Sequence, residues 1–556
     1  MLNQVPVIEE KDSVQRAEHI ERVAKGASHV TIAVFISRIL GLVREQVLAY
    51  FFGAGRSMDA FVVAYRIPNL LRDLFAEGAS QAAFVKVFSS ALEREGKEKA
   101  LEVARTLLAN FIIITGATVL LMFYFAPTIV ELLAPAFKQS PSKFSLAVNL
   151  TYITIPFLFF ISLSALFAGL LNSLGHFFLP ALSSGFFNLS SILVGVIGYF
   201  ILVTLDIDPI YAMAIGVVLG GFFQALLQVP LLLKEGLTFC LKPDFKHPAF
   251  KEVLELIGPT IFGLSIVQVN IFVNTYFATS CGEGAVSWYS YAFRVMYVPL
   301  GLFGIGITQV LLPELTRILS QKRDKGSELF QAQDLFTRSL CLSLSLAIPS
   351  SVGLYLLSRE IISVLFERGK FTSFDTEMTG SLLAIFALAL PFYSASKTMI
   401  PLFYSLGKTY IPALASAIAL SVNLGIILLA MEDLGIKAVA LGTTGSLIAQ
   451  SLFLSLLSVI YLKGLNFSLL SRTLGVIILG TSVLGTMVYG LKVYLHFQWG
   501  INGFWLILLA ITFGAGAYYT IVRVFGQKEA YLLIERLFTP FLKPLTNLII
   551  RRKHKG

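Results

Sequence analysis

Apolar stretches long enough to cross a bilayer as helices, each needing about 20 residues, recur along the whole chain. By hydropathy about fourteen candidate spans are visible. Their centres lie near residues 40, 72, 113, 157, 190, 221, 265, 300, 344, 390, 420, 449, 481 and 514. Only 14% of the 556 residues are charged, where a soluble protein carries about 25%. The expectation is an all-α polytopic membrane protein.

Loop charge sets the topology. Lys97, Lys99 and Arg105 follow the second span, Lys234, Lys242, Lys246 and Lys251 the sixth, and Arg317, Lys322, Arg323 and Lys325 the eighth. The alternate loops 204–209, 278–287 and 494–502 contain no Lys or Arg. By the positive-inside rule both termini are cytoplasmic, which requires an even number of spans. The net charge of +10 then reads as topology and contact with anionic membrane lipids, not as nucleic-acid binding. Residues 1–28 are polar and hold no apolar core of a signal peptide, so a cytoplasmic segment is expected there. At the other end, 527–556 mix apolar and basic residues at helical spacing, as a basic amphipathic tail on the cytoplasmic membrane face would.

A weak internal echo divides the chain. YFFGAG (50–55) followed by AYRIP (64–68) is similar to YFATSCGEG (276–284) followed by AFRVM (292–296), at an offset of 226 to 228 residues. Six spans separate the copies, so both have the same orientation, as in transporters built from parallel repeats. The predicted organisation is two six-helix lobes, 29–235 and 250–463, related by a pseudo-twofold axis, plus an extra helix pair over 469–526. Proline interrupts several spans. Pro156, Pro349 and Pro391 read as ordinary kinks, whereas Pro68, Gly258-Pro259 and Pro299 adjoin charged or repeat positions where a hinge is expected.

Four arginines, Arg38, Arg44, Arg72 and Arg294, interrupt stretches that otherwise read as membrane-spanning. A cation at the bilayer centre costs about 2.5–3.5 kcal/mol even on lenient insertion scales, so such residues face a bundle interior or a wet cavity. Guanidinium is also the side chain best shaped to grip phosphate or carboxylate. An anion site within the membrane follows, with fixed ion pairing between helices as the alternative for any one arginine. Glu45 and Asp59 are the acids placed to offset these charges or to gate the site. Arg66, at the repeat position of Arg294, is a lesser candidate that can snorkel to the surface.

Other chemistry is not expected. The three cysteines, Cys240, Cys281 and Cys341, are scattered and make neither a disulfide nor a zinc framework. No Walker loop is present for ATP hydrolysis, and no histidine–carboxylate spacing suggests a metal. The reading is a transporter, not an enzyme, without a cofactor.

The run SRILGLVREQVLAYFFGAGRSMDAFVVAYRIPNLLRDLFAEGA (37–79), continuing through SQAAFVKVF (80–88), closely resembles the signature region of the MurJ (MviN) lipid II flippases of bacterial cell-wall synthesis. So do YAFRVMYVPLGLFGIGITQVLLPELTR (291–317) and the fourteen-span plan. The resemblance implies the fold of the multidrug/oligosaccharidyl-lipid/polysaccharide exporter superfamily, with a cationic cavity between two lobes and a groove on the extra helix pair for a polyprenyl tail. It places Arg44, Arg72 and Arg294 on the lipid II diphosphate, with Arg38 and Asp59 at further positions important in the family. Many members have Asp where this chain has Glu45. Some bind sodium through acidic residues, and the matching positions here are Asn274 and Ile427. Asn423, Val439 and Thr443 remain compatible, but without either carboxylate a sodium ion is doubtful.

The resemblance implies a monomer in the bacterial inner membrane that moves lipid II by alternating access, with cell-wall synthesis proteins as further partners. The alternatives are an exporter of another polyprenyl-diphosphate oligosaccharide or a drug, and a non-transporting scaffold for cell-wall enzymes.

Overall fold

The computed structural model describes residues 33–75, 79–239, 242–320, 325–499 and 503–525, and among them all regular structure is helical. The terminal segments expected at 1–28 and 527–556 lie outside the described residues. The helices are α1 (33–52), α2 (Arg56–Phe75), α3 (Ala79–Glu95), α4 (Lys97–Leu133), α5 (Pro141–Thr154), α6 (Pro156–Ser173), α7 (Phe178–Thr204), α8 (Ile210–Leu226) and α9 (Val229–Lys234). They continue with α10 (Pro248–Thr279), α11 (Ala285–Ser320), α12 (Lys325–Leu356), α13 (Ser358–Phe366), α14 (Ser373–Ser405), α15 (Tyr410–Leu434), α16 (Ile436–Tyr461), α17 (Phe467–Trp499) and α18 (Gly503–Phe525).

All of the expected span centres fall on helices. Among the described residues ten spans are long and apolar enough to cross a membrane. The helices α1 and α2 are not among them. For α1 and α2 the reason is charge: Arg38, Arg44 and Glu45 lie in α1, and Asp59, Arg66 and Arg72 in α2. The centre near 72 also falls at the end of α2, and α3 follows as a separate helix.

The prolines divide differently from the sequence expectation. Pro156 is the first residue of α6 and separates it from α5, because its missing N–H is no loss at a helix start. Pro68, Pro299, Pro349 and Pro391 each lie inside one continuous helix.

Two compact units form, Met1–Ser287 with Arg368–Phe371, and Trp288–Glu367 with Thr372–Gly556. The division falls in the first turn of α11, whereas the sequence placed it between 235 and 250. Packing explains the difference. Phe250, Val253 and Ile257 sit at helical spacing on α10 and share one core with Phe84 and Phe88 of α3, Leu107 and Leu108 of α4, and Phe167 and Leu171 of α6.

Within the first unit, α7 and α8 approach closely because α8 carries glycine at the contact. A Cβ at Gly220 would lie 2.8 Å from the Phe187 carbonyl oxygen. Small residues are what allow helix backbones to meet where lipid supplies no hydrophobic driving force. The turn after α1 is fixed similarly. Gly53 has φ +62° and Gly369 φ +63°, and Lys370 N–H donates to the Tyr50 carbonyl at 2.9 Å. A side chain at either glycine would be strained and would strike the opposite backbone.

The chain between α9 and α10 is held on α4. Lys97 Nζ lies 2.6 Å from Glu235 Oε2, His176 Nε2 lies 2.8 Å from Glu235 Oε1, and the Asn110 side chain bonds Asp244 through both its amide and its carbonyl.

In the second unit one core joins Leu311 and Leu315 of α11, Phe336 of α12, Leu402 and Phe403 of α14, Ala415 of α15 and Leu454 of α16. The C-terminal pair α17–α18 packs on α12 through Leu346, Leu484, Val488 and Tyr518. Tyr518 donates its hydroxyl to the Ser345 carbonyl at 2.6 Å, so the pair is anchored by a polar bond as well as by apolar contact.

Substituting Gly220→Leu should force α7 from α8 and lower stability by about 1–3 kcal/mol, read as a fall in the thermal midpoint in detergent. The Glu235 carboxyl is held below its ordinary value of 4.5, first by the hydrogen bond from Lys97 and then by His176. Its contribution is therefore fully present above pH 4.5 and is lost as pH falls through the lowered value. The Glu235→Gln protein should lose this part of its acid sensitivity below pH 4.5, measured by thermal midpoint against pH.

Candidate anion-binding site

Arg44 lies on α1, and α1 is positioned by polar contacts with α7. Asn188 donates its side-chain amide to the Ser37 carbonyl at 3.2 Å, and the Ser37 and Ser184 hydroxyls are 2.9 Å apart. Gly41 leaves room for Asn188, whose amide nitrogen would be 3.5 Å from a Cβ there. Six residues separate Arg38 from Arg44, which on a regular helix turns them about 120° apart. Accordingly Arg38 is exposed, and Arg44 is turned into the unit.

The Arg44 side chain is 13% exposed and that of Glu45 7%. Arg44 Nη2 donates to Glu45 Oε1 at 3.0 Å, and the guanidinium carbon sits 5.1 Å from the centre of the Phe187 ring. The face of an aromatic ring attracts a cation, the more so when both are desolvated. Tyr65 of α2 also lies against the guanidinium, and among the described residues Nε and Nη1 of Arg44 have no hydrogen-bond partner. A buried charged donor left unbonded is costly, and the part of the guanidinium that Glu45 does not hold has the geometry to take an acceptor.

Of the other expected residues, Arg72 is half-buried in the last turn of α2. Arg66 is half-buried on the same helix, and Arg294 is half-buried on α11. Arg72 and Arg294 both make interactions within the structure.

Asp59, which the sequence places to offset an arginine or to gate the site, has a carboxylate that is 0% exposed and bonded to Lys143 and the start of α11. Oδ2 lies 2.8 Å from Lys143 Nζ and accepts from Gly284 N–H at 2.8 Å. Oδ1 accepts from Ser287 N–H at 3.1 Å and from the Ser287 hydroxyl at 2.7 Å. The start of α2 is held by two further acids: Arg56 N–H donates to Glu283 Oε1 at 2.7 Å, and Ser57 donates its hydroxyl to Asp208 Oδ2 at 2.9 Å. Acids at a helix N-terminus complement its unbonded amides and its dipole.

Lys143, Ser287 and Phe187 were not singled out in the sequence. Lys143 stands in KQSPSKFS, which reads as a polar loop, and nothing local pairs it with an acid 84 residues away. For Phe187 the available signal was weak, one aromatic in an apolar span.

Asn274 is on α10 in the first unit, and Asn423, Val439 and Thr443 are on α15 and α16 in the second. The Thr443 hydroxyl donates to the Val439 carbonyl at 2.9 Å and also pairs with the Tyr289 hydroxyl at 2.9 Å. Hard cations take several oxygens, usually with carboxylates among them. Among the described residues no group of three or more His, Cys, Asp or Glu is placed to hold a metal. The donors present do not fit a resident cation, and no step below uses one.

Removing the Asp59 carboxylate leaves Lys143 and the α11 amides buried without an acceptor. Asp59→Ala should therefore cost about 3–5 kcal/mol, read by thermal unfolding in detergent, well beyond the effect of an exposed carboxylate such as Glu102.

Comparison with known proteins agrees with this architecture. The family model described as "Lipid II flippase MurJ" matches residues 48–510. A "Probable lipid II flippase MurJ" of Buchnera aphidicola subsp. Schizaphis graminum is 33% identical over 398 residues, covering 72% of this chain and 76% of the relative. Another, from Bdellovibrio bacteriovorus, is 31% identical over 464 residues, covering 82% and 86%. Among solved structures, "Lipid II flippase MurJ, inward closed conformation" superimposes with a TM-score of 0.74 at 28% identity, covering 89% of this chain and 98% of that one. An inward-facing multidrug-resistance MATE transporter gives a TM-score of 0.62 at 13% identity, over 79% and 98%, a likeness of fold alone. The chain belongs to the MurJ lipid II flippase family.

Proposed function

We propose that this protein is a lipid II flippase, carrying the undecaprenyl-diphosphate-linked peptidoglycan precursor from the cytoplasmic to the periplasmic leaflet of the bacterial inner membrane by alternating access. Both termini are cytoplasmic, a single chain suffices, and no bond is made or broken. The observation that carries the reading to this chain's own residues is Arg44: a buried guanidinium, held by Glu45 and Phe187, with Nε and Nη1 unbonded. A diphosphate oxygen is the acceptor it lacks. Arg72 and Arg294 complete the grip, and Arg38, being exposed, supports from the rim.

ATP is not needed to drive the movement. A diphosphate bears about two negative charges, and carrying each outward across an inside-negative membrane gains about 2.3 kcal/mol per 100 mV if the whole field is crossed. The arginines stay behind and have to release the anion. Glu45 already bonds Arg44 and competes for the rest of its donors as the head group leaves. Its longer reach than aspartate suits this competition. The polyprenyl tail remains in lipid alongside α17 and α18. A drug exporter handling cations would be poorly served by an arginine-lined site.

The test is depletion of the protein with complementation by variants, measuring lipid II that remains on the inner leaflet. Arg44→Ala, Arg72→Ala and Arg294→Ala should each stay folded and lower translocation about tenfold or more, the loss expected for a charge-assisted bond. Normal translocation with reduced stability would instead mean that the arginines are structural, as in a scaffold.

A further inference from the structure

Asp59 has two kinds of partner, and they belong to different parts of the chain. Three of its hydrogen bonds come from the start of α11: Gly284 N–H, Ser287 N–H and the Ser287 hydroxyl. The fourth comes from Lys143 on α5, a helix that packs against α2, on which Asp59 sits. Lys143 is itself buried, its side chain 10% exposed, with Nζ 4.4 Å from the centre of the Phe137 ring. The aromatic face and the carboxylate together fix the ammonium.

The α11 bonds are the ones exposed to rearrangement. From Trp288 onward α11 belongs to the second unit, while Asp59, Lys143 and the first turn of α11 belong to the first. Arg294 lies seven residues beyond Ser287, two turns along the same helix. Arg294 and that first turn share one continuous helix. If the turn lifts away, Asp59 loses three of four bonds at a position that is 0% exposed. A buried carboxylate without a partner is strongly disfavoured, so the turn would be trapped unless another cation remained.

We propose that Lys143 is a positioning residue for transport, the resident counter-ion that stays with Asp59 while the first turn of α11, and Arg294 with it, leaves and reseats. Lys143 touches no substrate. It makes the Asp59 anchor reversible, and Ser287 and Gly284 are the part of the anchor that is released. The proposal rests on the transport reading above.

The experiment follows the turn itself. Ala285, 0% exposed in the first turn of α11, is replaced by cysteine in a full-length chain whose Cys240, Cys281 and Cys341 are serines. Maleimide labelling of purified protein in lipid nanodiscs then reports how often the turn lifts. Lys143→Met should slow labelling about tenfold or more, because the unlatched state is penalised, and Lys143→Arg should restore it to within about twofold. A lysine that merely held the fold together would do the opposite, so unchanged or faster labelling in Lys143→Met overturns the proposal. Should that variant fail to fold, Asp59→Asn is compared with Asp59→Asn/Lys143→Met. With the carboxylate neutral the two should label within about threefold of each other, and a difference beyond about tenfold overturns the proposal. Labelling requires no lipid II, so it separates failure of this idea from failure of the flippase reading, which the leaflet assay decides.

Discussion

A charge inside a bilayer has to be compensated by protein, because water is not there to do it. Two buried charges in the first unit meet that requirement in opposite ways. The carboxylate of Asp59 is saturated, with Lys143, two backbone amides and a hydroxyl arranged around it. The guanidinium of Arg44 is left short, with Glu45 on one nitrogen, Phe187 beneath and two nitrogens bonding nothing. A saturated buried ion holds elements together, since removing a partner leaves the rest desolvated and unpaired. An unsaturated one retains donors for a further partner, which is the basis of the role proposed for Arg44. That contrast separates the anchor from the site more sharply than charge alone.

The helices that bring these groups together depend on a second feature of life in lipid. Hydrocarbon outside is as apolar as leucine inside, so helices associate where backbones can come close or side chains can bond. Gly220 against Phe187 does the first, and Tyr518 to Ser345 and Asn188 to Ser37 do the second. Phe187 therefore serves twice, packing on α8 through its own backbone and supporting Arg44 with its ring.

Much of the site was legible from spacing. Arg38 and Arg44, six apart on one helix, had to point in different directions, and Arg38 is exposed while the Arg44 side chain is only 13% exposed. Glu45 was identified as a partner for the arginines and bonds Arg44. Asp59 was assigned to the same task and is bonded instead to Lys143 and α11. A carboxylate near several arginines in sequence pairs with whichever cation the fold buries beside it. Lys143, after Pro141, carried no mark of burial. The packing of α10 was not legible for a related reason, since its apolar face shows that it packs but not on which neighbours.

The sequence by itself determined the helical membrane architecture, the intramembrane arginines and the family, because hydropathy, an ionised group in an apolar run and a dense motif are all properties of the chain. Tertiary structure alone decided which charges are satisfied. Glu45 and Arg44 adjoin in the chain, but the ring beneath Arg44 is brought by α7, and the lysine that completes Asp59 is brought by α5. Compensation of a buried charge depends on distances of about 3 Å between groups far apart in sequence, and only packing sets those distances.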